Sequence, residues 1–456
     1  MPLTLTATGE SGSLPVYLAR ESVLEESGAD AAACAWARAN GFTGRDGAVL
    51  TIPGHDGALA GAFFGLGGGD PSPFSFARLA RNLPKGQWHF ASTPKNRHLV
   101  ALALRLGGYA FTRYGSKPTT DIAFAAPEGT DRAEVDRLAE GVFLARDLIN
   151  TPTNDMGPDA LEETARALAK SHDAAISVTS GDDLLAQNFP LIHAVGRASA
   201  EAPRLIDLCW GAESAPKVTL VGKGVCFDTG GLDIKPANNM LLMKKDMGGA
   251  ANVLGLASMI MAAKLPVRLR VLIPAVENAI SANAFRPSDI LKSRKGLTVE
   301  IGHTDAEGRL VLADAMTLAD EESPELLIDM ATLTGAARVA LGPDLPPFYT
   351  RDEGLAEALA GAADENVDPL WRMPLWQPYA ERLSSKVADI NNVNKDGFAG
   401  SITAALFLER FVEKAQAWAH FDIYGWNPND KAACPVGGEA QGIRAIEAVL
   451  RKRYGR

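Results

Sequence analysis

The stretch VTLVGKGVCFDTGGLDIK, at residues 218–235, passes from an apolar run into a polar loop rich in glycine. The run Val218–Val221 predicts a short buried strand, because continuous apolar residues bounded by glycine are typical of strands covered on both faces. The loop carries Lys223, Asp228 and Lys235. In open α/β sheets, ligands bind beyond the carboxyl ends of the strands. This stretch therefore predicts a parallel sheet with a polar site at its edge.

Strands and helices alternate along the chain after this stretch. The apolar pattern predicts helices over residues 245–263, 308–319 and 401–414, and strands over residues 267–273, 298–301, 326–330 and 419–423. Such alternation is typical of a mostly parallel central sheet flanked by helices. We therefore predict that residues 150–456 form a larger C-terminal α/β domain.

The N-terminal part of the chain predicts a second, smaller α/β domain over residues 1–130. Short strand-like runs, such as Val16–Leu18 and Trp88–Ala91, alternate there with helical segments such as Arg97–Leu106. Residues 131–149 carry apolar side chains at helical spacing and predict a helix that links the two domains. A chain of 456 residues is too long for one compact core, which supports this division.

The composition is that of an ordinary globular protein, with 46% hydrophobic and 22% charged residues. The formal net charge of −10 argues against nucleic acid as a partner, because nucleic-acid binding needs clusters of basic residues. The N-terminus lacks a basic start followed by an apolar core, and no apolar stretch is long enough to span a bilayer. We therefore expect neither a signal peptide nor a membrane anchor. The four scattered cysteines suit a reducing compartment, and we expect the cytoplasm.

Four acidic residues fall at predicted strand ends or at the helix starts beside them: Asp228, Asp246, Asp305 and Glu307. Each one alone has a plainer explanation, since Asp246, for example, could simply stabilise a helix N-terminus. Together they would repel one another strongly in one pocket. Divalent cations would relieve that repulsion, and hard oxygen ligands suit zinc, manganese or magnesium. Because one metal ion would leave carboxylates over, we expect two metal ions that share bridging carboxylates.

Three segments of the sequence resemble the signature blocks of the leucine aminopeptidase, or cytosol aminopeptidase, family. They are VGKGVCFDTGGLDIK at residues 221–235, LMKKDMGGAANVLG at residues 242–255 and TDAEGRLVLADA at residues 304–315. Further matches run in order from about residue 140 to residue 450, among them DLINTPTNDMGP near Asn150 and WAHFDI from Trp418. The resemblance implies a metal-dependent aminopeptidase, which is a hydrolase that removes N-terminal residues from peptides.

The resemblance also implies which residues hold the two metal ions. The tightly bound ion would have Lys223, Asp228, Asp246 and Glu307 as ligands. The exchangeable ion would have Asp228, Asp305 and Glu307, with help from the backbone carbonyl of Asp305. A lysine ligand must be neutral, and an adjacent dication would lower the pKa of its ammonium group.

Lys235 and Arg309 complete the catalytic machinery that the resemblance implies. Lys235 would stay charged and act as the electrophile that stabilises the oxyanion developing from the scissile carbonyl. Arg309 would hold a bicarbonate ion, which serves as the general base for a hydroxide that bridges the metal ions. A planar guanidinium suits this planar anion. The exchangeable metal ion would bind the free amine of the peptide, which makes the enzyme an exopeptidase.

The same resemblance describes a pocket for the first side chain of the substrate. It would be lined by Met243, Thr332 and Gly335, with Leu333 offering a backbone carbonyl. Tyr424 and Asn427 stand where the family has small apolar residues, so they would narrow this pocket or make it polar. We therefore expect a residue preference broader than leucine, with small or polar first residues accepted. The resemblance further implies a homohexamer.

His303 departs from the family pattern, which usually has asparagine just before Thr304 and Asp305. This histidine could be an extra metal ligand, a residue that orients the ligands, or a packed residue that replaces an amide. The second and third interpretations are favoured, because the carboxylate set is already complete without it.

Two other function classes stay open at this stage. Another two-metal hydrolase, such as a phosphoesterase, could use the same carboxylates, although Lys223, Lys235 and Arg309 within these blocks favour peptides. A scaffold or DNA-binding protein on the same fold is the other alternative. The complete set of matched ligands and the negative net charge argue against it.

Overall fold

The computed structural model describes residues 3–7, 12–115 and 121–455, which belong to two compact units. The first unit comprises the chain up to Phe143 together with Asn429–Val436, and the second comprises Leu144–Pro428 and the chain from Gly437 onward. The boundary falls inside a long helix, Arg132–Asn150, in the segment that the sequence predicts as the link. The grouping of Asn429–Val436 with the first unit has no counterpart in the prediction, since nothing in the local sequence marks it.

A six-stranded sheet organises the first unit. Its strands are β1 (Thr4–Thr6), β2 (Leu14–Ala19), β3 (Val49–Pro53), β4 (Leu59–Gly65), β5 (Gly86–Phe90) and β6 (Ile122–Ala125), in the order β1-β6-β5-β2-β4-β3. All pairs are parallel except β3–β4. Its helices are α1 (Ala31–Ala39), α2 (Leu79–Asn82) and α3 (Arg97–Gly107), and α4 (Arg132–Asn150) leads into the second unit. A 3₁₀ helix over Pro73–Arg78 precedes α2.

The second unit contains the larger sheet and most of the helices. Its strands are β7 (Ala175–Ser180), β8 (Arg204–Trp210), β9 (Lys217–Gly222), β10 (Gly224–Asp228), β11 (Arg268–Asn278), β12 (Ile290–Lys292), β13 (Thr298–Glu300), β14 (Leu326–Ala331), β15 (Pro347–Tyr349), β16 (Trp371–Arg372), β17 (Ile390–Asn391), β18 (Trp418–Asp422), β19 (Trp426–Asn427) and β20 (Gly437–Gly438). Its helices are α5 (Pro158–Ser171), α6 (Asp183–Ala186), α7 (Pro190–Gly196), α8 (Ala237–Met240), α9 (Gly248–Ala262), α10 (Gly308–Glu321), α11 (Gly335–Leu341), α12 (Glu353–Glu365), α13 (Gly400–Glu409) and α14 (Ile443–Tyr454).

The main sheet of this unit runs β16-β15-β18-β14-β9-β11-β8-β7. The central pairs β18–β14, β14–β9 and β9–β11 are parallel, whereas β8, β7 and β15 pair antiparallel toward the edges. Strand β10 pairs with β11 beyond the end of β9 and so continues its line. The predicted fold class is confirmed: two α/β units, the larger one with a mostly parallel central sheet flanked by helices.

Burial explains why these segments form the centre of the sheet. Every residue of β14 and of β18 is buried, as expected for strands covered by helices on both faces. Helix α9 is apolar on all sides and almost wholly buried, which is typical of a helix inside the core. It begins at Gly248, after a 3₁₀ helix over Met243–Met247, so the helix predicted from residue 245 starts later than expected.

Strand register brings the polar loops to one edge of the sheet. Val221 of β9 lies beside Leu272 of β11 and Asp329 of β14, so the parallel strands end together. At that edge β9 is followed by Lys223 and β14 by Thr332.

None of the helices in the described parts of the chain combines the length and the hydropathy that a membrane-spanning helix needs.

A charged pair lies inside the core between β14 and β18. Asp329 and His420 are both fully buried, and Asp329 Oδ1 lies 2.6 Å from His420 Nδ1. Trp418 Nε1 donates to the other oxygen of Asp329 at 2.8 Å. Burial opposes the charge of His420, but Asp329 outweighs burial and raises the pKa of the imidazole above its usual value. Asp329 therefore joins two neighbouring side chains of β18 to β14.

We predict that Asp329→Ala lowers the free energy of unfolding by roughly 3–5 kcal/mol, because it leaves a buried histidine without its partner. Urea unfolding followed by circular dichroism measures this loss. Asp364→Ala, at an exposed position of α12, is the matched control and should change the same quantity by less than about 0.5 kcal/mol. Equal unfolding midpoints for the two variants would contradict a stabilising role for the pair.

Candidate metal centre and active site

Three carboxylates converge at the edge of the large sheet. Asp228 ends β10, and Asp305 and Glu307 lie in the turn before α10. One carboxylate oxygen from each lies within 4.8 Å of the other two. Asp246 joins this group through Lys223, whose Nζ lies 2.6 Å from Asp246 Oδ2 and 3.0 Å from Glu307 Oε1. The five residues predicted as metal ligands are therefore brought together.

Neighbouring groups donate hydrogen bonds to one carboxylate oxygen of Asp228 and to one of Asp246. Asp228 Oδ1 accepts from Gly230 N at 2.8 Å and from Asn278 Nδ2 at 2.9 Å, and Asp246 Oδ1 accepts from Thr332 Oγ1 at 2.9 Å. Glu307 Oε2 is buried and has no hydrogen-bond partner among the described residues. A buried carboxylate oxygen without a partner is costly, and a cation would satisfy it. The donor set thus fits a metal site.

Two glycines allow the close approaches that the centre requires. A Cβ on Gly308 would lie 2.5 Å from Lys223 Cε, so only glycine leaves room for the lysine beside the first turn of α10. Gly230 has a φ of +90°, a backbone conformation that residues other than glycine rarely adopt. In this conformation the N–H of Gly230 donates to Asp228.

Burial and the crowding of like charges raise the pKa values of three of the acids at the site. Burial and the neighbouring Asp228 carboxylate raise the pKa of Glu307 to about 8 and that of Asp305 to about 6. Burial likewise raises the pKa of Asp246. Deprotonating all of these groups together is therefore unfavourable unless positive charge is added, which is the condition that divalent cations meet.

Lys223 and Lys235 provide the positive charge that the chain itself contributes. Burial works against the charge of Lys223, but Asp246, Glu307 and Asp228 together outweigh it and raise the pKa of its ammonium group. A neutral Lys223, as a metal ligand requires, would need cations among the carboxylates to reverse this balance.

Lys235 Nζ lies 2.8 Å from Asp228 Oδ2 and pairs with Asp305 as well. Burial also opposes its charge, but the carboxylates raise its pKa, so Lys235 remains an ammonium group.

Arg309 lies in the first turn of α10 and is 7% exposed. Its Nη1 donates to the carbonyl of Asn392 at 2.6 Å, and its guanidinium carbon lies 5.9 Å from the ring centre of Phe407. Its Nε is buried without a hydrogen-bond partner in the described part of the chain. Burial lowers the pKa of Arg309 to about 10, which leaves it charged near neutral pH. A buried cation with an unused donor suits a small oxyanion.

One cavity of about 440 Å³ in the second unit is lined by these groups with the exception of Glu307, which is buried. Of the predicted pocket residues, Met243, Thr332, Leu333, Gly335 and Tyr424 lie on its wall. Asn427 belongs to the short strand β19, is 3% exposed and is not part of this wall.

Some residues of the site were not predicted. Asn278, at the end of β11, binds both Asp228 and the carbonyl of Thr304, and its position next to β10 follows only from strand pairing. Asn392 binds Arg309 from a distant loop. Lys245 and Arg338 also line the cavity. The motif LMKKDMGG contains Lys245, so its presence in the block was a signal for the site.

His303 supports the turn that carries two of the acids. Its side chain is half exposed, and its Nδ1 accepts from the backbone N–H of Asp305 at 3.1 Å. The same nitrogen lies 3.5 Å from Asp233 Oδ2. Because Nδ1 faces the backbone of the turn, the arrangement favours the interpretation of His303 as an orienting residue.

Comparison with known proteins agrees with this site. Residues 143–447 match the family described as "Cytosol aminopeptidase family, catalytic domain", and residues 14–126 match the "M17 aminopeptidase, N-terminal domain". A probable cytosol aminopeptidase from Roseiflexus castenholzii is 43% identical over 364 residues, which are 76% of this chain and 74% of that protein.

Solved structures extend the similarity over the whole chain. The crystal structure of a cytosol aminopeptidase from Coxiella burnetii has a TM-score of 0.94 and 45% identity and covers 99% of both chains. The bottromycin maturation enzyme BotP in complex with Mn has a TM-score of 0.88 and 33% identity, over 97% of this chain and 100% of the other. These matches span both units and include the segments that carry Asp228, Asp246, Asp305 and Glu307. The chain therefore belongs to the cytosol aminopeptidase family and is a metallo-aminopeptidase.

Proposed function

We propose that this protein hydrolyses the N-terminal peptide bond of peptides with two divalent cations bound at the carboxylate centre. The observation that carries the proposal is the convergence of Asp228, Asp305 and Glu307 within 4.8 Å, with a buried oxygen of Glu307 left without a partner. A carboxylate cluster of this kind can hold two cations that share ligands. Family membership supports peptides, rather than phosphate esters or DNA, as the substrate class.

The ligands divide between two sites. One cation would be held by Lys223, Asp228, Asp246 and Glu307, and the other by Asp228, Asp305 and Glu307, with the carbonyl of Asp305. When bound, such cations lower the pKa of a water molecule and polarise a carbonyl. Zinc, manganese and magnesium all suit oxygen-rich ligand sets, and availability decides among them.

Lys235 is proposed as the electrophile of the reaction. It is the charged amine on the cavity wall closest to Asp228 and Asp305, so it faces the reacting carbonyl of a peptide whose amine lies at the carboxylates. A fixed positive charge there stabilises the oxyanion that forms as the carbonyl is attacked.

Arg309 is proposed to hold bicarbonate. Its buried guanidinium, its unused Nε and its place on the cavity wall support an anion at this position. Bicarbonate supplies a base that removes a proton from water. The histidine on the cavity wall, His303, turns its Nδ1 to the backbone N–H of Asp305.

Substrate preference, assembly and location complete the proposal. Tyr424 lies on the pocket wall and supports a preference broader than leucine, whereas Asn427 gives this idea no support. Exposed apolar side chains on the second unit, among them Trp371, Trp376 and Phe398, support subunit contacts within a homohexamer. Peptides in the cytoplasm are the proposed substrates.

Asp246→Ala should reduce the metal content of the purified protein from two ions per chain and lower kcat/KM by more than about 100-fold, since even residues that only orient ligands contribute 10- to 100-fold. Plasma mass spectrometry and a leucyl-4-nitroanilide assay measure the two effects. The exposed control Asp364→Ala should change neither. Full metal content and full activity in Asp246→Ala would refute the proposed centre.

Lys235→Ala should keep both metal ions yet lower kcat by about 100-fold or more, the size expected for loss of an oxyanion donor. The same metal analysis and assay serve, with Lys170→Ala, an exposed lysine at the end of α5, as the control. Loss of metal in parallel with activity would instead indicate that Lys235 only balances the charge of the carboxylates.

Removal of dissolved bicarbonate should lower kcat of the wild-type enzyme by about 100-fold or more, as expected for loss of a general base. Added bicarbonate should restore the rate, whereas chloride at equal ionic strength should not. Arg309→Ala should be slow in both buffers and insensitive to bicarbonate. A wild-type rate independent of bicarbonate would count against this role of Arg309.

A further inference from the structure

Two cations on the cavity wall have no role in the proposed reaction. Lys245 lies in the 3₁₀ helix Met243–Met247, is 5% exposed, and places its Nζ 4.6 Å from the ring centre of Tyr424. Arg338, on the exposed side of α11, places its guanidinium carbon 5.4 Å from the same ring. All three side chains line the cavity. Two positive charges thus meet at one aromatic side chain.

The Lys245 ammonium group has no hydrogen-bond acceptor or ion-pair partner within the described ranges, and the Tyr424 ring is its one polar contact. A contact between an ammonium group and an aromatic ring replaces only part of the hydration that burial removes. A buried cation of this kind is stabilised when an anion reaches it. The cavity is the route by which such an anion would arrive.

The nearby carboxylates are already engaged. Asp246 pairs with Lys223 and accepts from Thr332. Asp422 accepts from two backbone N–H groups at Leu333 and Thr334, and from the hydroxyls of Thr334 and Ser401. Neither acid forms an ion pair with Lys245 or Arg338. The two cations therefore form no ion pair with a carboxylate in the described part of the chain.

Their position corresponds to the place of the first side chain of a substrate. Lys245 follows Met243 by two residues, and Arg338 lies in the helix that begins at Gly335, so both flank the proposed pocket residues. Tyr424 is held in place by its backbone N–H, which donates to Gln441 Oε1 at 2.9 Å. This step rests on the proposed function, in which the peptide's free amine lies at the carboxylate centre.

We propose that Lys245 and Arg338 bind the side-chain carboxylate of an N-terminal glutamate or aspartate, so that the enzyme prefers peptides with an acidic first residue. A carboxylate accepts charge-assisted hydrogen bonds from both cations, whereas the corresponding amide offers only a neutral acceptor. First residues with positive side chains are repelled. Lys245 contributes more than Arg338, because its charge is shielded from water and that of Arg338 is exposed to solvent and to salt.

The test compares kcat/KM for the α-4-nitroanilides of glutamate, glutamine, leucine and lysine, since glutamate and glutamine have nearly the same shape. The wild-type enzyme should favour glutamate over glutamine by about 10-fold or more, the range for hydrogen bonds to charged groups. The lysine substrate should be the poorest. The glutamate-to-glutamine ratio should fall as ionic strength rises.

Variants assign the preference to the two cations. Lys245→Met should bring the glutamate-to-glutamine ratio close to one, and Lys245→Arg should keep most of it. Arg338→Met should lower the ratio by about threefold, as expected for an exposed charge. Lys170→Met removes one positive charge at a distant exposed site and should leave the ratio unchanged.

The outcomes separate this proposal from the proposed function. A wild-type enzyme that cleaves leucine anilide but favours glutamine over glutamate overturns the acidic preference and leaves the aminopeptidase assignment intact. Failure to cleave any anilide in the presence of zinc or manganese refutes the function itself. If circular dichroism shows that Lys245→Met does not fold, Arg338→Met and Lys245→Arg decide the question. The assignment is overturned if Arg338→Met leaves the glutamate-to-glutamine ratio unaltered and Lys245→Arg abolishes it.

Discussion

Repulsion among buried carboxylates is the constraint around which the second unit is built. Asp228, Asp246, Asp305 and Glu307 come from three separate chain segments, and the sheet register brings them to one edge. Burial, together with the neighbouring carboxylates, raises the pKa of Glu307 to about 8, so its ionisation among these acids is unfavourable. Folding energy from the surrounding core holds the acids in place, and added positive charge makes the arrangement favourable.

The scaffold meets this constraint with rigid parts rather than with loops alone. Helices α9 and α10 are buried on nearly all sides, and they start directly beside Asp246 and Glu307. The backbone of Lys223 is bonded to both the sheet and a covering helix. Its N–H donates to the carbonyl of Met330 in β14 at 3.0 Å, and its carbonyl accepts from the N–H of Ala250 in α9 at 2.9 Å. Asn278 and Thr332 orient the acids and leave other oxygens for cations. Positional precision at the centre is therefore a property of the core.

Two groups of charged side chains occupy different parts of the cavity wall. The aspartates of the centre lie in one part of the wall with Lys223 and Lys235, whereas Lys245 and Arg338 meet at Tyr424 in another. A peptide carries a positive amine and, when its first residue is acidic, a negative side chain on the same residue. Such a molecule complements both parts at once, so charge separation orients the substrate as well as selecting it.

The sequence by itself determined the two α/β units, the strand after which the site begins, and the acidic and basic residues that converge there, because apolar periodicity and glycine-bounded motifs are local properties of the chain. It also carried the family resemblance through long ordered blocks. The partnership of Asn278 with Asp228, the burial of Lys245 against Tyr424 and the exclusion of Asn427 from the cavity wall were decided only by the tertiary structure. These depend on strand pairing and on packing between segments far apart in the chain, which no local pattern encodes.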